Sequence, residues 1–313
     1  MSDRLPPPPA TPPWAVGPPL GGSGHERAAF HRTDDAWLAD AWKRGRILLM
    51  SPRSAVLVDD DNLPTYVGAD DVAEGAPRRF LGEIEQIPYF TATVGHDERN
   101  WKTLREVGLA LDDVGAGLVV TSVALEQWHQ RHRHCAVCGA ATTETNAGWT
   151  RTCPADGSTH FPRTDPAVIM LIVDEATDRV LLGQGTGWPD GRYSTLAGFV
   201  EPGESLEAAV AREVFEETGV RIADVTYVAS QPWPFPSSLM VGFTARLDGP
   251  DALTVDPVEL ADAAWFTRDE VRRAAEQTET WSGPLPETGD RLKILSPKLS
   301  ISRFLVDRWL LGH

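Results

Sequence analysis

Apolar residues between Arg27 and Val94 come in short runs broken by Pro, Asp or Gly, as in Arg46–Met50, Ser54–Val58, Phe80–Glu83 and Pro88–Ala92. Runs of this length predict strands. Trp101–Leu111 and Leu118–Trp128 instead carry apolar residues at three- and four-residue steps, which predicts helices. Past Pro162, strands are predicted at Val168–Val173, Arg179–Gln184, Asp224–Ser230 and Leu239–Leu247. Helices are predicted at Ser205–Thr218, stopped by Gly219, and at Leu299–Leu311. No internal repeat interrupts this order.

Composition divides the chain further. Eight of the 25 prolines fall within the first 24 residues, followed by Gly21-Gly22-Ser23-Gly24, so residues 1–26 read as a disordered tail. A Pro-rich docking peptide is the other reading of that segment. Residues 27–130 read as a small α+β domain with no evident chemistry. Residues 131–162 hold a cysteine ribbon, and 163–313 form the last domain. At 313 residues, about two domains are expected. Lys plus Arg number 29 against 45 Asp plus Glu, a net charge of −16. That balance argues against duplex DNA or a membrane surface as partner, since both need a basic face. No apolar run reaches the ~20 residues of a membrane helix, the N-terminus lacks a signal-peptide core, and three cysteines make no disulfide framework. A reduced, cytoplasmic setting is expected.

The densest chemistry lies between Gly198 and Val220. Ser205 is a natural N-cap, and at ~100° per residue Glu216 and Glu217 fall on either side of Glu213 within an arc of about 100°. Carboxylates so placed repel. The stripe makes sense when hard divalent cations sit against it, because Mg²⁺ and Mn²⁺ prefer carboxylate oxygens. A solvated acidic face is the plain alternative for a Glu-rich helix. Leu206, Val210 and Val214, at four-residue steps, face a core. The whole string fits Gly-x5-Glu-x7-Arg-Glu-U-x-Glu-Glu-x-Gly-U, with U aliphatic, at every position, and so resembles the signature of the Nudix hydrolase family. The resemblance implies a mixed sheet sandwiched by helices and cleavage of a nucleoside diphosphate linked to a further group. It also implies Glu213 and Glu217 as metal ligands, Glu216 as ligand or water-activating base, and Arg212 orienting Glu216 or Glu204.

Eleven residues beyond this box, Gln231-Pro232-Trp233-Pro234-Phe235-Pro236-Ser237-Ser238 alternates three prolines with two aromatics. Such a loop is stiff and offers flat faces to a base or nicotinamide ring; a Pro-rich turn with core aromatics is the alternative. The segment resembles the signature of NADH pyrophosphatases within the Nudix family, and the likeness extends over residues 27–313. It implies that Gln231 to Ser238 line a dinucleotide pocket and that Phe199 stacks on the nicotinamide. Phe161 stands where the family commonly has Tyr, supplied across a homodimer. Glu259 and the carbonyl of Ala197 match further metal ligands, and Ser302 aligns with a residue that touches substrate through its backbone. Phe161 keeps the stacking face and loses the hydroxyl.

Cys135-x2-Cys138 signals zinc when a second Cys-x2-Cys follows. Here the second knuckle reads Cys153-Pro154-Ala155-Asp156, so Asp156 takes the fourth place, with His160 as an alternative ligand. The ribbon either holds a structural Zn²⁺ through Cys135, Cys138, Cys153 and Asp156, or is an empty fold held by packing. His129, His132 and His134 form either a second metal site or a solvated basic helix end. No Gly-x-Ser-x-Gly elbow, Walker loop or Gly-x-Gly-x-x-Gly is present. The combined expectation is an α+β protein whose C-terminal domain is a Nudix α/β/α sandwich, preceded by the ribbon and an N-terminal α+β domain. By resemblance it hydrolyses NADH or NAD⁺ to nicotinamide mononucleotide and AMP with Mg²⁺ or Mn²⁺, through in-line attack of an activated water. The resemblance also implies removal of NAD caps from RNA 5′ ends; the acidic balance argues against long RNA contacts, so only cap-proximal nucleotides should matter. A non-catalytic regulator sensing NAD or ADP-ribose is the alternative from another class.

Overall fold

The computed structural model of the protein describes residues 17–22, 24–277 and 285–312. The Pro-rich segment through Val16 lies outside them. Two units emerge, Met1–Thr164 with Pro232–Ser237, and Asp165–Gln231 with Ser238–His313. The tip of the Pro-rich loop therefore groups with the first unit, although in sequence it interrupts the second.

In the first unit, α1 (Asp35–Arg44) precedes β1 (Arg46–Met50), β2 (Ala55–Leu57), β3 (Tyr66–Val67), β4 (Arg78–Ile84), β5 (Ile87–Thr93) and β6 (Trp101–Thr103). The short α2 (Leu104–Val107) and the long α3 (Asp113–Arg131) follow. The sheet runs β4-β5-β1-β2-β6, with β3 paired to β1. Side chains alternate across it: Ile47, Leu49, Phe80 and Phe90 pack with Trp37, Leu38, Ala41 and Trp42 of α1. Leu81 and Tyr89 instead pack with Leu118 and Leu125 of α3.

Three sequence expectations change here. Asp34 caps α1 by accepting from Trp37 N, a helix that the strand-like reading of Arg27–Val94 did not include. Trp101–Thr103 is not the start of a helix but an edge strand, with Trp101 opposite Leu57 and Thr103 opposite Ala55. Helix α2 begins only at Leu104, because Glu106 Oε2 accepts from both the N–H and the hydroxyl of Thr103 at 2.7 Å. Finally, Glu26, read as tail, exchanges backbone hydrogen bonds with Glu83, and Leu20 and His25 are buried. Ordering there starts before residue 27.

The ribbon consists of β7 (Thr143–Thr145), β8 (Thr150–Thr152) and β9 (Thr159–His160), paired in that order. A buried ionic network fixes it to the rest of the unit. Arg79, 2% exposed, donates to Glu126 at 2.6 Å and, through two nitrogens, to Glu144 of β7. Such a network holds because every charge has a partner.

In the second unit, β10 (Asp165–Asp174), β11 (Arg179–Gly185), β12 (Leu196–Phe199), α4 (Leu206–Thr218), β13 (Ile222–Trp233), β14 (Ser238–Leu247), β15 (Leu260–Thr267), α5 (Arg268–Gln277) and α6 (Ile301–Leu310) follow in order. The sheet runs β13-β14-β10-β11-β15, with β12 on β10. It is mixed: β10 is parallel to β14 and antiparallel to β11 and β12. Val168, Met170 and Ile172 of β10 pack towards Ala209, Val210 and Val214 of α4. Ile169 and Leu171 face Val271 of α5 and Ile301, Leu305 and Trp309 of α6. The central strand is buried on both sides, which is the expected helix–sheet–helix sandwich. Among the described residues no helix is long and apolar enough to cross a membrane.

Candidate metal centre and dinucleotide site

Helix α4 carries the acidic cluster. Ser205 Oγ accepts from Ala208 N at its start, and Gly219, at φ 72°, closes it in the left-handed conformation a Cβ disfavours. One side-chain oxygen from each of Glu213, Glu217 and Glu259 lies within 4.8 Å of the others. Glu213 and Glu217 are buried, and Glu259 reaches in from the turn before β15. Glu217 Oε2 is buried and has no hydrogen-bond partner. Burial first, then the charges of Glu213 and Glu259, push Glu217 up to about 8; burial also raises Glu213. An orphaned buried carboxylate oxygen beside two more carboxylates is an unfavourable arrangement for the protein alone. It is a fitting one for a hard divalent cation.

Arg212 organises the approach. Its guanidinium makes five hydrogen bonds: two to Glu204, one each to Glu213 and Glu216, and one to Phe199 O. The sequence expectation was Glu216 or Glu204; the side chain reaches both, and Glu213 as well. Glu204, lowered by its hydrogen bonds from Arg212, also accepts from Glu201 N and so pins the loop before the helix. Glu216 stands apart from the three-carboxylate cluster, exposed, 2.9 Å from Arg212 Nη1.

In the sequence Gly198 was the first fixed position of the Nudix-like string, with no physical reason given for a glycine there. A Cβ built on it would lie 1.9 Å from Glu213 Cδ and 2.0 and 2.2 Å from its two oxygens. The Glu213 carboxylate therefore rests on bare backbone where β12 pairs with β10, Gly198 opposite Val168 and Ala197 opposite Ile169. That pairing also fixes the exposed Ala197, the neighbour of the glycine on which Glu213 rests.

The remaining predicted residues separate into several environments. Phe199 and Phe161 are 61% and 69% exposed, unusual for rings of that size. Gln231 is fully buried; its Nε2 donates to Leu299 O and its Oε1 accepts from Ile301 N, so it anchors the start of α6. Within the first unit, Trp233 and Phe235 meet edge to face at 4.9 Å. The guanidinium of Arg105 in α2 lies 4.2 Å from the Phe235 centroid and 5.2 Å from that of Trp233. Nothing in the sequence linked Arg105 to that loop. Pro234 is buried, Pro232, Ser237 and Ser238 are half-buried, and Pro236 is exposed. Ser302 is buried among hydroxyls, its Oγ 2.9 Å from both Ser194 Oγ and Thr195 Oγ1.

In the ribbon, ligand atoms of Cys135, Cys138, Cys153 and Asp156 lie within 4.8 Å of one another. Asp156 Oδ1 accepts from the N–H and hydroxyl of Ser158, which leaves Oδ2 facing Cys135 Sγ at 3.3 Å. Three thiols and a carboxylate oxygen, with the other oxygen occupied, suit a closed zinc site. His160 is outside the cluster, with Nε2 at 3.2 Å from Ser158 Oγ. The upstream histidines go separate ways and form no metal cluster among the described residues. His129, expected as part of a solvated helix end, is buried. Its Nδ1 accepts from Arg151, an obligate donor, and its Nε2–H donates to Gly148 O. Burial and Arg79 lower it to about 4, so it stays neutral.

Comparisons with known proteins agree with this anatomy. Residues 163–286 match the NUDIX domain and residues 130–161 the NADH pyrophosphatase zinc ribbon domain. The chain is 40% identical over 303 residues to the NAD-capped RNA hydrolase NudC of Mycobacterium bovis (strain BCG / Pasteur 1173P2), covering 93% of this chain and 94% of that protein. It is 39% identical over the same shares to NudC of Mycobacterium tuberculosis (strain ATCC 25618 / H37Rv). The human NAD-capped RNA hydrolase NUDT12 is 43% identical over 171 residues, 52% of this chain and 37% of the human protein.

Proposed function

The chain belongs to the Nudix hydrolase family, in its NADH pyrophosphatase branch, and from that premise we propose that it hydrolyses the diphosphate of NADH and NAD⁺ and removes NAD caps from RNA 5′ ends. The observation that carries this reading is the buried, unpartnered Glu217 oxygen set against Glu213 and Glu259. Mg²⁺ or Mn²⁺ held by these three carboxylates, with the Ala197 carbonyl, would supply charge neutralisation for the diphosphate and acidity for the attacking water. The chain's own part is positional. Arg212 holds Glu213 at its post and, through the same Nη1, ties the exposed Glu216 to it from outside the cluster, as a carboxylate that can accept the proton the water gives up. Water oxygen bonds to one phosphorus as the bridging P–O bond breaks, leaving nicotinamide mononucleotide and AMP.

The aromatic residues recognise the dinucleotide in this reading. Phe199 stacks the nicotinamide, and the loop from Pro232 to Ser238 offers Trp233 and Phe235 to a base, with Gln231 fixing its root. Phe161 serves the site of a second copy in a homodimer, and Ser302 meets substrate through its backbone. With its thiols reduced, the enzyme would work in the cytoplasm.

Product analysis tests the proposal. Incubation with NADH and Mn²⁺ should give AMP and reduced nicotinamide mononucleotide in equal amounts, and a capped RNA should yield a 5′-monophosphate end. Cleavage of ADP-ribose with NADH untouched would keep the chemistry and remove the assignment of the Pro-rich loop. Tight NAD binding without turnover would establish the sensor.

For the ribbon we propose a structural Zn²⁺ on Cys135, Cys138, Cys153 and Asp156. Purified protein should carry about one zinc per chain, Asp156→Ala should lose it, and Asp156→Cys should hold it against chelator longer, sulfur being the softer ligand. Metal content unchanged in Asp156→Ala would remove Asp156 from the ligand set.

A further inference from the structure

Two arginines of the first unit lie against one indole. The guanidinium carbon of Arg32 is 3.5 Å from the Trp149 ring centroid, and that of Arg27 is 5.5 Å away. The ring itself is fixed, since Trp149 Nε1 donates to Phe80 O at 2.7 Å. Arg32 Nε is buried with no hydrogen-bond partner. Neither guanidinium pairs with a carboxylate among the described residues, in a chain that has 45 of them.

The charges act on one another and on their surroundings. Burial and Arg27 push Arg32 down to about 10, and burial together with Arg27 pushes His25 down to about 4. Two like charges this close, with no counter-charge, oppose folding unless an anion joins them. A guanidinium held over an aromatic ring spends none of its N–H donors on that contact, and those at its open end stay available to phosphate oxygens. Between them in sequence Phe30 is 68% exposed, with one side of its ring tilted against His31 at 4.3 Å, and an exposed ring of this kind can take an unpaired base.

We propose that Arg27 and Arg32, backed by Trp149, bind phosphates of the single-stranded RNA that follows an NAD cap, with Phe30 stacking one of its bases. This rests on the cap-removal reading above and extends it: in that reading the rings and diphosphate of the dinucleotide are already taken up by the site described, so only the RNA that follows the cap has phosphates left for these arginines. The net charge had argued against long RNA contacts; Arg27 and Arg32 are a local exception to it.

The test compares NADH with a short NAD-capped RNA as substrates, and measures binding of the same RNA without its cap by fluorescence anisotropy. In Arg27→Gln/Arg32→Gln, kcat/KM on capped RNA should fall roughly tenfold at low salt while that on NADH holds. The log–log salt dependence of RNA binding should become shallower by about 1.4, at ~0.7 per phosphate on a single strand. Because Arg32 is partly buried, Arg27→Glu alone is the second variant; it leaves the closer stack in place and should weaken RNA binding in the same direction. Equal binding of RNA by wild type and both variants would overturn the proposal, as would equal losses on NADH and RNA, which mean a structural role. Polyglutamate binding as tightly as RNA would overturn it in favour of a protein partner. Wild type inert on both substrates, yet binding uncapped RNA through these arginines, would sink the hydrolase reading and leave the surface standing.

Discussion

Glu217→Gln is expected to lower kcat on NADH by about 10³-fold or more, with the fold intact. Losing one ligand of the cation cluster removes several kcal/mol, taken as ~4, of transition-state stabilisation, at 1.36 kcal/mol per tenfold. A second signature is independent of turnover. Without metal, Glu217 titrates near 8 in the fold, against 4.5 for an ordinary glutamate. A carboxyl raised on folding holds its proton more tightly in the native state. Its penalty is therefore absent below pH 4.5, grows as pH rises, and is complete above about 8. Chelator-treated wild type should lose stability across that window in denaturant titrations, and the Gln variant should show a flatter profile. Cation binding must also expel that proton, so metal affinity should climb between pH 6 and 8. Wild-type turnover in the variant would remove Glu217 from the centre; identical pH profiles would mean its carboxyl is not held protonated.

Gly198→Ala is expected to cost about 10²-fold in kcat/KM on every substrate, the usual toll of a ~1 Å misplacement of a reacting group. The added methyl would fall inside the Glu213 carboxylate, 1.9 Å from its Cδ, and either Glu213 or β12 must retreat. Weaker apparent metal affinity should accompany the loss, because Glu213 is displaced rather than removed. Thermal unfolding should change far less than activity, since β12 keeps its pairing with β10. Unchanged kinetics would mean that Glu213 has no fixed place.

Much of this centre could be read from α4 alone. On the helical wheel Leu206, Val210 and Val214 span a stripe that has Glu217 near its middle, with Glu216 about 100° away. The burial of Glu217 and the exposure of Glu216 follow from that placement. Gly198 was legible as a glycine but not as a platform, because its reason lies in another element 15 residues on. Glu259 was legible only through the family resemblance; no helix or strand period marks it, because it enters from a turn more than 40 residues past the helix. Trp101–Leu111 misled for a related cause: its apolar steps suit a helix, but Trp101–Thr103 finds the free edge of β2, and long-range pairing overrides local period. Helix α1 had its signals, with Asp34 as cap and Trp37, Leu38, Ala41 and Trp42 on one face, hidden among neighbours that read as strands.

A guanidinium owns five N–H donors, and at Arg212 all five are committed. Three of those bonds end in the segment from Phe199 to Glu204, and two end on the helix. The side chain therefore works as a ruler, measuring the length of a surface loop against the pitch of α4. Most exposed loops absorb an inserted residue at little cost. This one has no slack to absorb it: one residue more or fewer before Glu204 would be transmitted through the arginine to Glu213. Lysine, with three donors on a flexible stem, could keep the charge and would lose the measurement.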